Sequence, residues 1–180
     1  MFAKPTLIIA ALCLLTGTAV ARVGAKPTDP QIAHIAYTAG QIDIAAAQQA
    51  LSKSKNKAAR AFAEDMVRDH AAVNKHAAVN KQALTLVNKL KVTPEDNDTS
   101  RALSKEAAAK HAELAKLNGA AFDKAYIANE VAYHKTVNDA LASTLIPSAS
   151  NTELKSLLQT GLKVFQGHLQ HAENVAAALK

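Results

Sequence analysis

The sequence predicts an all-α fold, a four-helix bundle with one extra short helix between helices 2 and 3. The evidence is the spacing of apolar residues, the scarcity of strand signals and the position of proline. Apolar residues recur at the three- and four-residue spacing of a buried helix face, and runs of β-branched residues are short. Proline inside a helix costs about 3 kcal/mol. All prolines lie outside the predicted helix interiors, at Pro5, Pro27, Pro30, Pro94 and Pro147.

Local signals set the approximate bounds of the helices. Asp29 followed by Pro30 is typical of an N-cap and a first helical position, so helix 1 is predicted to begin there. Pro147 is expected to end helix 3, and Ser150 with Glu153 has the capping-box spacing that opens helix 4. The predicted helices span residues 29–51, 57–90, 100–117, 121–145 and 150–179, with a turn at 52–56.

Each long helix carries an apolar stripe that predicts its buried face. The best stripe of helix 1 consists of Ile32, Ile35, Ala39, Ile42 and Ala46. The stripes of the other three helices are expected to meet in a common core. That core would contain Phe62, Ile127, Leu141 and Phe165, with Tyr126 and Tyr133 inside it or at its boundary.

Five ionisable side chains fall on these buried faces, and we call them the polar centre. They are Asp43 at the edge of the helix 1 stripe, His70 in helix 2, Glu130 and His134 in helix 3, and His168 in helix 4. Charged groups on a buried face are unfavourable unless they are paired, hydrogen-bonded or metal-bound. Glu130 and His134 are four residues apart, so they share one helix face and can share an ion.

The polar centre has two interpretations. Carboxylates and imidazoles that project from facing helices suit iron, manganese, zinc or copper. Asp69, the neighbour of His70, would then be a ligand at the edge of the site or a partner that orients His70. The alternative is a buried carboxylate–histidine network without a metal. The Glu-x-x-His spacing that is usual in di-iron bundles is absent from the sequence.

The other histidines are predicted to lie at the surface, and they are His34, His76, His111 and His171. His171 follows His168 by three residues, which leaves a ligand role open as the less favoured alternative. The sequence contains no Ser-His-Asp order, no glycine-rich phosphate loop and no His-Glu-x-x-His motif. We therefore assign no catalytic residue and no cofactor other than a metal.

Residues 1–21 are predicted to be a secretory signal peptide. Lys4 precedes an apolar run at 7–15, and residues 19–21 supply the small side chains of a cleavage site. The mature chain would be a single helical-bundle domain over residues 22–180, with its core at about 29–179, in the periplasm or secreted. Cys13, the only cysteine, lies in the signal peptide, and Leu12 before it is not the small residue that lipidation requires.

Charge and composition limit the partners. The net charge of +6 falls to +5 when Lys4 leaves with the signal peptide. The absence of Trp argues against stacking on single-stranded nucleic acid, and no later segment is apolar enough to span a membrane. The basic excess, densest at Lys53, Lys55 and Lys57, is a solvated face or a weak contact with anionic envelope surfaces. Both a monomer and an oligomer remain open.

Three pieces of the sequence resemble a known family. They are Phe62-Ala63-x-x-Met66-Val67-x-Asp69-His70, Gly119-Ala120-Ala121-Phe122-Asp123-x-Ala125-Tyr126, and His134. The resemblance covers about residues 32–176 and is to exported bacterial proteins with domain of unknown function 4142, often labelled "predicted outer membrane protein". It implies a ferritin-like four-helix fold and an envelope location, and it implies no known activity. Members of that family usually carry Glu where this chain has Asp43.

Three functional hypotheses follow. The first is an exported ferritin-like bundle that binds a metal ion at its carboxylate and histidine cluster, without established catalysis. The second is a metal-dependent oxidoreductase that acts on oxygen or peroxide, which requires an open coordination position and access for the substrate. The third is a non-catalytic envelope-stress or interaction protein that uses its basic faces.

Overall fold

The computed structural model describes residues 26–77 and 92–179, and of residues 72–77 it describes the backbone alone. These ranges contain five long helices and no strand, so the all-α prediction is confirmed. The helices are α1 Asp29–Lys53, α2 Lys57–Ala77, α3 Asp98–Ala115, α4 Gly119–Ala140 and α5 Thr152–Ala178. The predicted signal peptide, the side chain of His76 and residues 78–90 of predicted helix 2 lie outside this description. No described helix combines the length and apolarity needed to cross a membrane.

Two helical hairpins meet to form the interior. α1 packs against α2 across the connection at 54–56, and α4 packs against α5 across the connection at 149–151. α1 also contacts α4, and α2 contacts α5. Tyr133 of α4 donates a hydrogen bond of 2.8 Å to the Ala39 carbonyl of α1. The faces that α1, α2, α4 and α5 turn towards one another therefore enclose a shared core.

The third helix, α3, lies along α1 and carries the chain from one end of the molecule to the other. At one end, Asn97 Nδ2 donates to the Gln31 carbonyl at 3.3 Å. At the opposite end, Lys53 Nζ donates to the Ala115 carbonyl at 2.9 Å and to Asn118 Oδ1 at 3.3 Å. α3 thus runs parallel to α1, and α4 begins where α1 ends and runs back along it.

The ends of the helices differ from prediction at two caps. Thr28, not Asp29, is the N-cap of α1. The Asp29 carboxylate instead accepts hydrogen bonds from the Ser150 and Asn151 backbone amides, at 2.8 and 2.9 Å. Asn151, not Ser150, caps α5, and its Oδ1 accepts from the amides of Glu153 and Leu154, both at 3.0 Å. Asp29 therefore joins the start of α1 to the start of α5.

Proline does not stop the fourth helix where the sequence predicts. α4 continues as a π-helical segment, Leu141–Leu145, and then as a helical turn, Ile146–Ser148, that contains Pro147. Pro147 lies in the last turn of this continuous helix, so its missing N–H removes a hydrogen bond only at the helix end. The chain leaves helical geometry at Ala149, whose backbone is extended.

Two separate apolar cores form, where the sequence predicts one. The Phe62 core joins Phe62, Ile127 and their neighbours, whereas the Leu141 core joins Leu141 and its neighbours, with half-buried Phe165 against it. The buried members of the Phe62 core are Ala47, Ala50, Ala59, Phe62, Ala63, Met66, Leu114, Phe122, Tyr126, Ile127, Ala172 and Val175. Those of the Leu141 core are Ile32, Ile35, Val92, Leu141, Leu145, Ala149, Leu154 and Leu158.

The stripe of helix 1 is also rotated relative to the prediction. Ile42 and Ala46 are half-buried, whereas Asp43, Ala47 and Ala50 are almost completely buried. Asp43 therefore lies in the middle of the buried face and not at its border. On α1, α4 and α5, the residues of the polar centre lie between residues of the Phe62 core and residues packed in the Leu141 core, whereas on α2 His70 follows the last residue of the Phe62 core, Met66.

Candidate metal centre

The structure brings all five residues of the polar centre together in the interior. Their exposed fractions are 1% for Asp43, 4% for His70, 0% for Glu130, 1% for His134 and 7% for His168. They come from α1, α2, α4 and α5, and the apolar cores on either side hold the four backbones at this level. The prediction that the five side chains share one buried level therefore agrees with the structure.

One carboxylate oxygen lies at the middle of the group. Asp43 Oδ2 is 2.9 Å from His70 Nε2 and 3.2 Å from His134 Nε2. Neither contact has the alignment of a hydrogen bond, and all three atoms lack a hydrogen-bond partner among the described residues. Two imidazole nitrogens thus converge on one oxygen at distances where donor atoms around a common cation would lie.

The backbone sets the proton position of His134. Its Nδ1 lies 3.0 Å from the Glu130 carbonyl oxygen, one turn earlier in α4. A carbonyl can only accept, so Nδ1 carries the hydrogen. In the neutral ring, Nε2 then carries a lone pair and no hydrogen. Nε2 and Asp43 Oδ2 are therefore two electron-rich atoms 3.2 Å apart, and they repel unless a cation binds both.

His168 also has one ring nitrogen that donates a hydrogen bond and one that is unpaired, but the donor is Nε2 and not Nδ1. Its Nε2 donates to Asp69 Oδ2 at 3.1 Å, whereas its buried Nδ1 has no hydrogen-bond partner in the described part of the chain. Burial lowers the pKa of His168 and outweighs the opposite effect of Asp69. The ring is therefore neutral at pH 7, the form in which imidazole binds metals.

Asp69 lies on the outer side of this site. Its oxygens accept from Arg68 Nε at 2.8 Å and Nη2 at 3.1 Å, and from His168. Of its two predicted roles, the geometry matches the orienting partner, although the ring it orients is His168 and not His70. A carboxylate that holds the second nitrogen of a metal-binding histidine is common in metal sites.

The donor atoms form two overlapping groups that share His134. Ligand atoms of His70, His134 and His168 lie within 4.8 Å of one another, and so do those of Asp43, Glu130 and His134. Two donors bound to one ion at about 2.1 Å would lie about 3.0 Å apart at right angles and about 3.4 Å apart at the tetrahedral angle. The contacts of Asp43 Oδ2 with the two imidazole nitrogens, at 2.9 and 3.2 Å, are close to these separations.

The two carboxyl groups have opposite electrostatics. Burial, together with the negative charge of Asp43, raises the pKa of Glu130 well above its ordinary value. Burial also disfavours ionisation of Asp43, but its contacts with His134 and His70 outweigh burial and hold its pKa well below the usual range. Without a metal, Asp43 therefore ionises at a lower pH than Glu130. A bound cation would stabilise the charged form of both.

Three neighbours of the centre were not assigned to it from the sequence. The Phe165 ring stacks on His70, with centroids 4.8 Å apart and planes 2° apart. Tyr126, one turn before Glu130, has a buried hydroxyl without a hydrogen-bond partner among the described residues. Asp65 Oδ2 lies 3.4 Å from His171 Nδ1 near the surface. Tyr126 and Glu130 are four residues apart, so the sequence could have placed Tyr126 on the same helix face as Glu130. The other two contacts join α2 to α5, and helix periodicity does not predict contacts between helices.

None of the other histidines whose side chains are described reaches the centre. His171 is half-buried and outside both ligand groups, and His111 is exposed, as predicted. His34 is half-buried and not fully at the surface, and its Nδ1 lies 3.8 Å from Asp96 Oδ1. The ligand alternative for His171 is therefore not supported by its position.

The sequence of the chain matches a family described as domain of unknown function (DUF4142), over residues 15–175. The chain belongs to this family. The predicted family membership is thereby confirmed, and the family description assigns no activity. No curated protein and no solved structure matches the chain significantly.

Proposed function

We propose that this chain is an exported, ferritin-like helical bundle that binds one divalent transition-metal ion in its interior. The proposed ligands are Asp43, His70, His134 and His168, with Glu130 as an additional carboxylate. The observation that carries the proposal is the 3.2 Å contact between His134 Nε2 and Asp43 Oδ2. The Glu130 carbonyl accepts the only hydrogen of the neutral imidazole, so Nε2 has no hydrogen to donate to Asp43, and one cation bound by both atoms would stabilise the contact.

A metal-free network accounts less well for the buried atoms. One extra proton on His134 would satisfy its contact with Asp43, but it would leave Glu130 Oε2 and His168 Nδ1 without partners among the described residues. A buried donor or acceptor without a partner typically costs about 1–3 kcal/mol. One cation would accept lone pairs from the imidazoles and carboxylates together. The abundance of unpaired acceptors therefore supports the metal interpretation.

The donor types favour particular ions. Three imidazole nitrogens and one carboxylate oxygen suit zinc, copper or iron, whereas manganese prefers a larger share of oxygen donors. Affinities at such sites generally rise from manganese through iron to copper, with zinc below copper. We therefore expect copper and zinc to bind most tightly, followed by iron and manganese.

Helix order supports the ferritin-like part of the proposal. α1 and α5 run in one direction, and α2 and α4 run in the other. The segment between α2 and α4 includes α3, which follows the outside of α1 over its length. Ferritin-like bundles contain one such long crossover connection. Export to the periplasm rests on the predicted signal peptide at residues 1–21.

One observation favours metal-dependent oxidation as a second candidate function. A mainly apolar cavity of about 920 Å³ is lined by Ile35, Leu141, Leu158 and Phe165, among others. The Phe165 ring separates this cavity from His70, on which it stacks. A small uncharged molecule such as dioxygen would need only a rotation of Phe165 to reach the centre from this cavity.

Metal binding by the mature chain, residues 22–180, tests the proposal. After removal of metal with a chelator, calorimetric titration with Cu²⁺ or Zn²⁺ should show one tight site per chain. His134→Ala should weaken binding at least about 100-fold, which is typical when an essential ligand or its partner is lost. His111→Ala, which removes an exposed imidazole, should leave the tight site unchanged. Equal binding by both variants would contradict the assignment.

A further inference from the structure

A strip of metal-ligating side chains leads from the polar centre to the surface between α2 and α5. Asp65 and Asp69 lie one turn apart on α2, and His168 and His171 lie one turn apart on α5. They form two rungs, because His171 Nδ1 is 3.4 Å from Asp65 Oδ2 and His168 Nε2 is 3.1 Å from Asp69 Oδ2. We call these four residues the surface strip.

Exposure falls steadily along the strip towards the interior. The side chains of the outer rung are 37% exposed for His171 and 33% for Asp65. In the inner rung, Asp69 is still 30% exposed, but His168 is only 8% exposed. The side chain of His134, in the polar centre, is 2% exposed. Carboxylate and imidazole donors therefore continue without interruption from water to the buried site.

His168 belongs to both the strip and the centre. Its Nε2 faces Asp69 on the outer side, and its Nδ1 is buried and has no partner among the described residues. The ring centroid of His168 lies 5.3 Å from that of His70 and 5.5 Å from that of His134. Rotation about the Cβ–Cγ bond of His168 would move a nitrogen from the outer side of the ring to the inner side.

Arg68 supplies the charge that the strip lacks without a metal. Its guanidinium lies 2.7 Å from Asp65 Oδ1 and 2.8 Å from Asp69 Oδ1. The Arg68 side chain is 65% exposed, so it can move into water without losing buried contacts. Exposed ion pairs contribute little free energy. An incoming cation can therefore replace Arg68 as the partner of these two carboxylates.

We propose that the surface strip is the entry path for the divalent transition-metal ion bound at the polar centre. The inference rests on the proposed function. The ion first binds Asp65 and His171 and displaces Arg68. It then passes to Asp69, and the hydrogen bond from His168 to Asp69 opens. The His168 ring turns its unprotonated Nδ1 outward to bind the ion, and it turns back to deliver the ion to His70, His134 and Asp43. The hydrogen on Nε2 stays on the ring, so only this hydrogen bond and the coordination bonds of the ion change.

Stopped-flow fluorescence with Cu²⁺ tests the path. The chain has three tyrosines and no tryptophan. Tyr126 lies near the centre, because burial and, to a smaller extent, the neighbouring Glu130 and Asp43 carboxylates raise its pKa. A Cu²⁺ ion at the centre should quench its emission. Asp65→Asn should slow the quenching about tenfold, within the range by which local charge changes association rates. The equilibrium affinity should stay the same, because Asp65 is not a ligand of the centre.

Two matched controls separate the path from net charge. Glu64→Gln changes the charge of α2 by the same amount at an exposed residue outside the strip, and should leave the rate within about twofold of the parent protein. Arg68→Gln should accelerate quenching, because no guanidinium then competes with the ion. Lys57→Gln makes the same charge change at an exposed residue of α2 and should not accelerate it to the same extent.

The outcomes distinguish the path from the site. If the parent protein shows no quenching and no calorimetric binding, the proposed function fails. If the parent binds Cu²⁺ but Asp65→Asn and Glu64→Gln have equal rates, the site stands and the entry path is wrong. Slower quenching of Arg68→Gln than of Lys57→Gln would also overturn the path. This second comparison remains valid even if Asp65→Asn does not fold.

Discussion

The Phe62 core and the polar centre are equally buried, but they are held together by different forces. Phe62, Tyr126 and Ile127 are completely shielded from solvent, and so is Glu130 in the adjacent level. In the Phe62 core, the rings of Phe62 and Tyr126 meet edge to face, with centroids 6.2 Å apart. In the polar centre, Asp43, Glu130 and His134 keep buried atoms without hydrogen-bond partners among the described residues, and so does the Tyr126 hydroxyl, which borders the two regions.

This difference shows that burial does not have the same meaning in the two regions. Burial of apolar surface stabilises the fold by about 25 cal/mol for each Å² removed from water. Burial of unpaired polar atoms opposes folding. The Phe62 core should therefore contribute stability under all conditions, whereas the contribution of the polar centre should depend on a bound cation and on pH.

The largest expected effect is in the Phe62 core. Phe122→Ala, at a completely buried residue of this core, should lower the free energy of unfolding by about 3–5 kcal/mol, since it leaves a cavity among buried neighbours. Denaturant titration measures this loss. The stabilisation by added Zn²⁺ should be the same in this variant as in the parent protein. A loss that Zn²⁺ abolishes would mean that the two regions are not independent.

The second prediction concerns pH and Glu130 in the metal-free protein. The pKa of Glu130 in the folded state is raised above its ordinary value of 4.5. Its contribution to stability is therefore fully present below pH 4.5 and is lost as the pH rises towards the folded pKa, because only the unfolded chain gains the charge. Glu130→Gln should remove this loss.

The measurement is the difference in melting temperature between the parent and Glu130→Gln at a series of pH values above 4.5, with chelator present. The variant should gain relative to the parent as the pH rises. The pKa of Asp43 is lowered, so its contribution to stability is lost as the pH falls. Both proteins contain Asp43, and its contribution therefore largely cancels in the difference between their melting temperatures. A constant difference would show that Glu130 is ionised in the metal-free fold.

The smallest effect is expected at the boundary of the polar centre. Tyr133→Phe removes the hydroxyl that donates to the Ala39 carbonyl at 2.8 Å. The loss should be about 1 kcal/mol, the usual net contribution of such a hydrogen bond, and Zn²⁺ affinity should not change. A strong loss of affinity would assign Tyr133 to the centre itself and not to the contact between α1 and α4.

The sequence was sufficient for the helices and for the membership of the polar centre. Apolar residues three and four positions apart define the buried faces, and His70, Glu130, His134 and His168 can be assigned to those faces by counting. Asp43 was predicted only at the border of the helix 1 face, because that face is rotated in the structure. The separation of the Phe62 and Leu141 cores could not be predicted, because it depends on how four helices align along their length. That alignment places a polar level between two apolar ones.

The detailed chemistry of the centre was also beyond the sequence. The proton position of His134 follows from a rotamer that brings Nδ1 to the Glu130 carbonyl, and periodicity contains no rotamer information. The hydrogen bond between His168 and Asp69 joins α5 to α2. Because Asp69 is next to His70 in the sequence, His70 was predicted as the ring that Asp69 orients, and that prediction was wrong. The π-helical segment Leu141–Leu145 has no sequence signal comparable to a proline or a cap.

The most direct measurement is the melting temperature of the mature protein with chelator and with a hundredfold excess of Zn²⁺ or Cu²⁺ over the dissociation constant. An ion that binds only the folded state at this excess stabilises it by about 2.7 kcal/mol, which corresponds to a rise of about 5–10 °C for a chain of this size. We predict this rise for the parent protein and its loss in His134→Ala. An unchanged melting temperature in the parent protein, with either ion, would contradict the metal centre and leave a buried carboxylate–histidine network in its place.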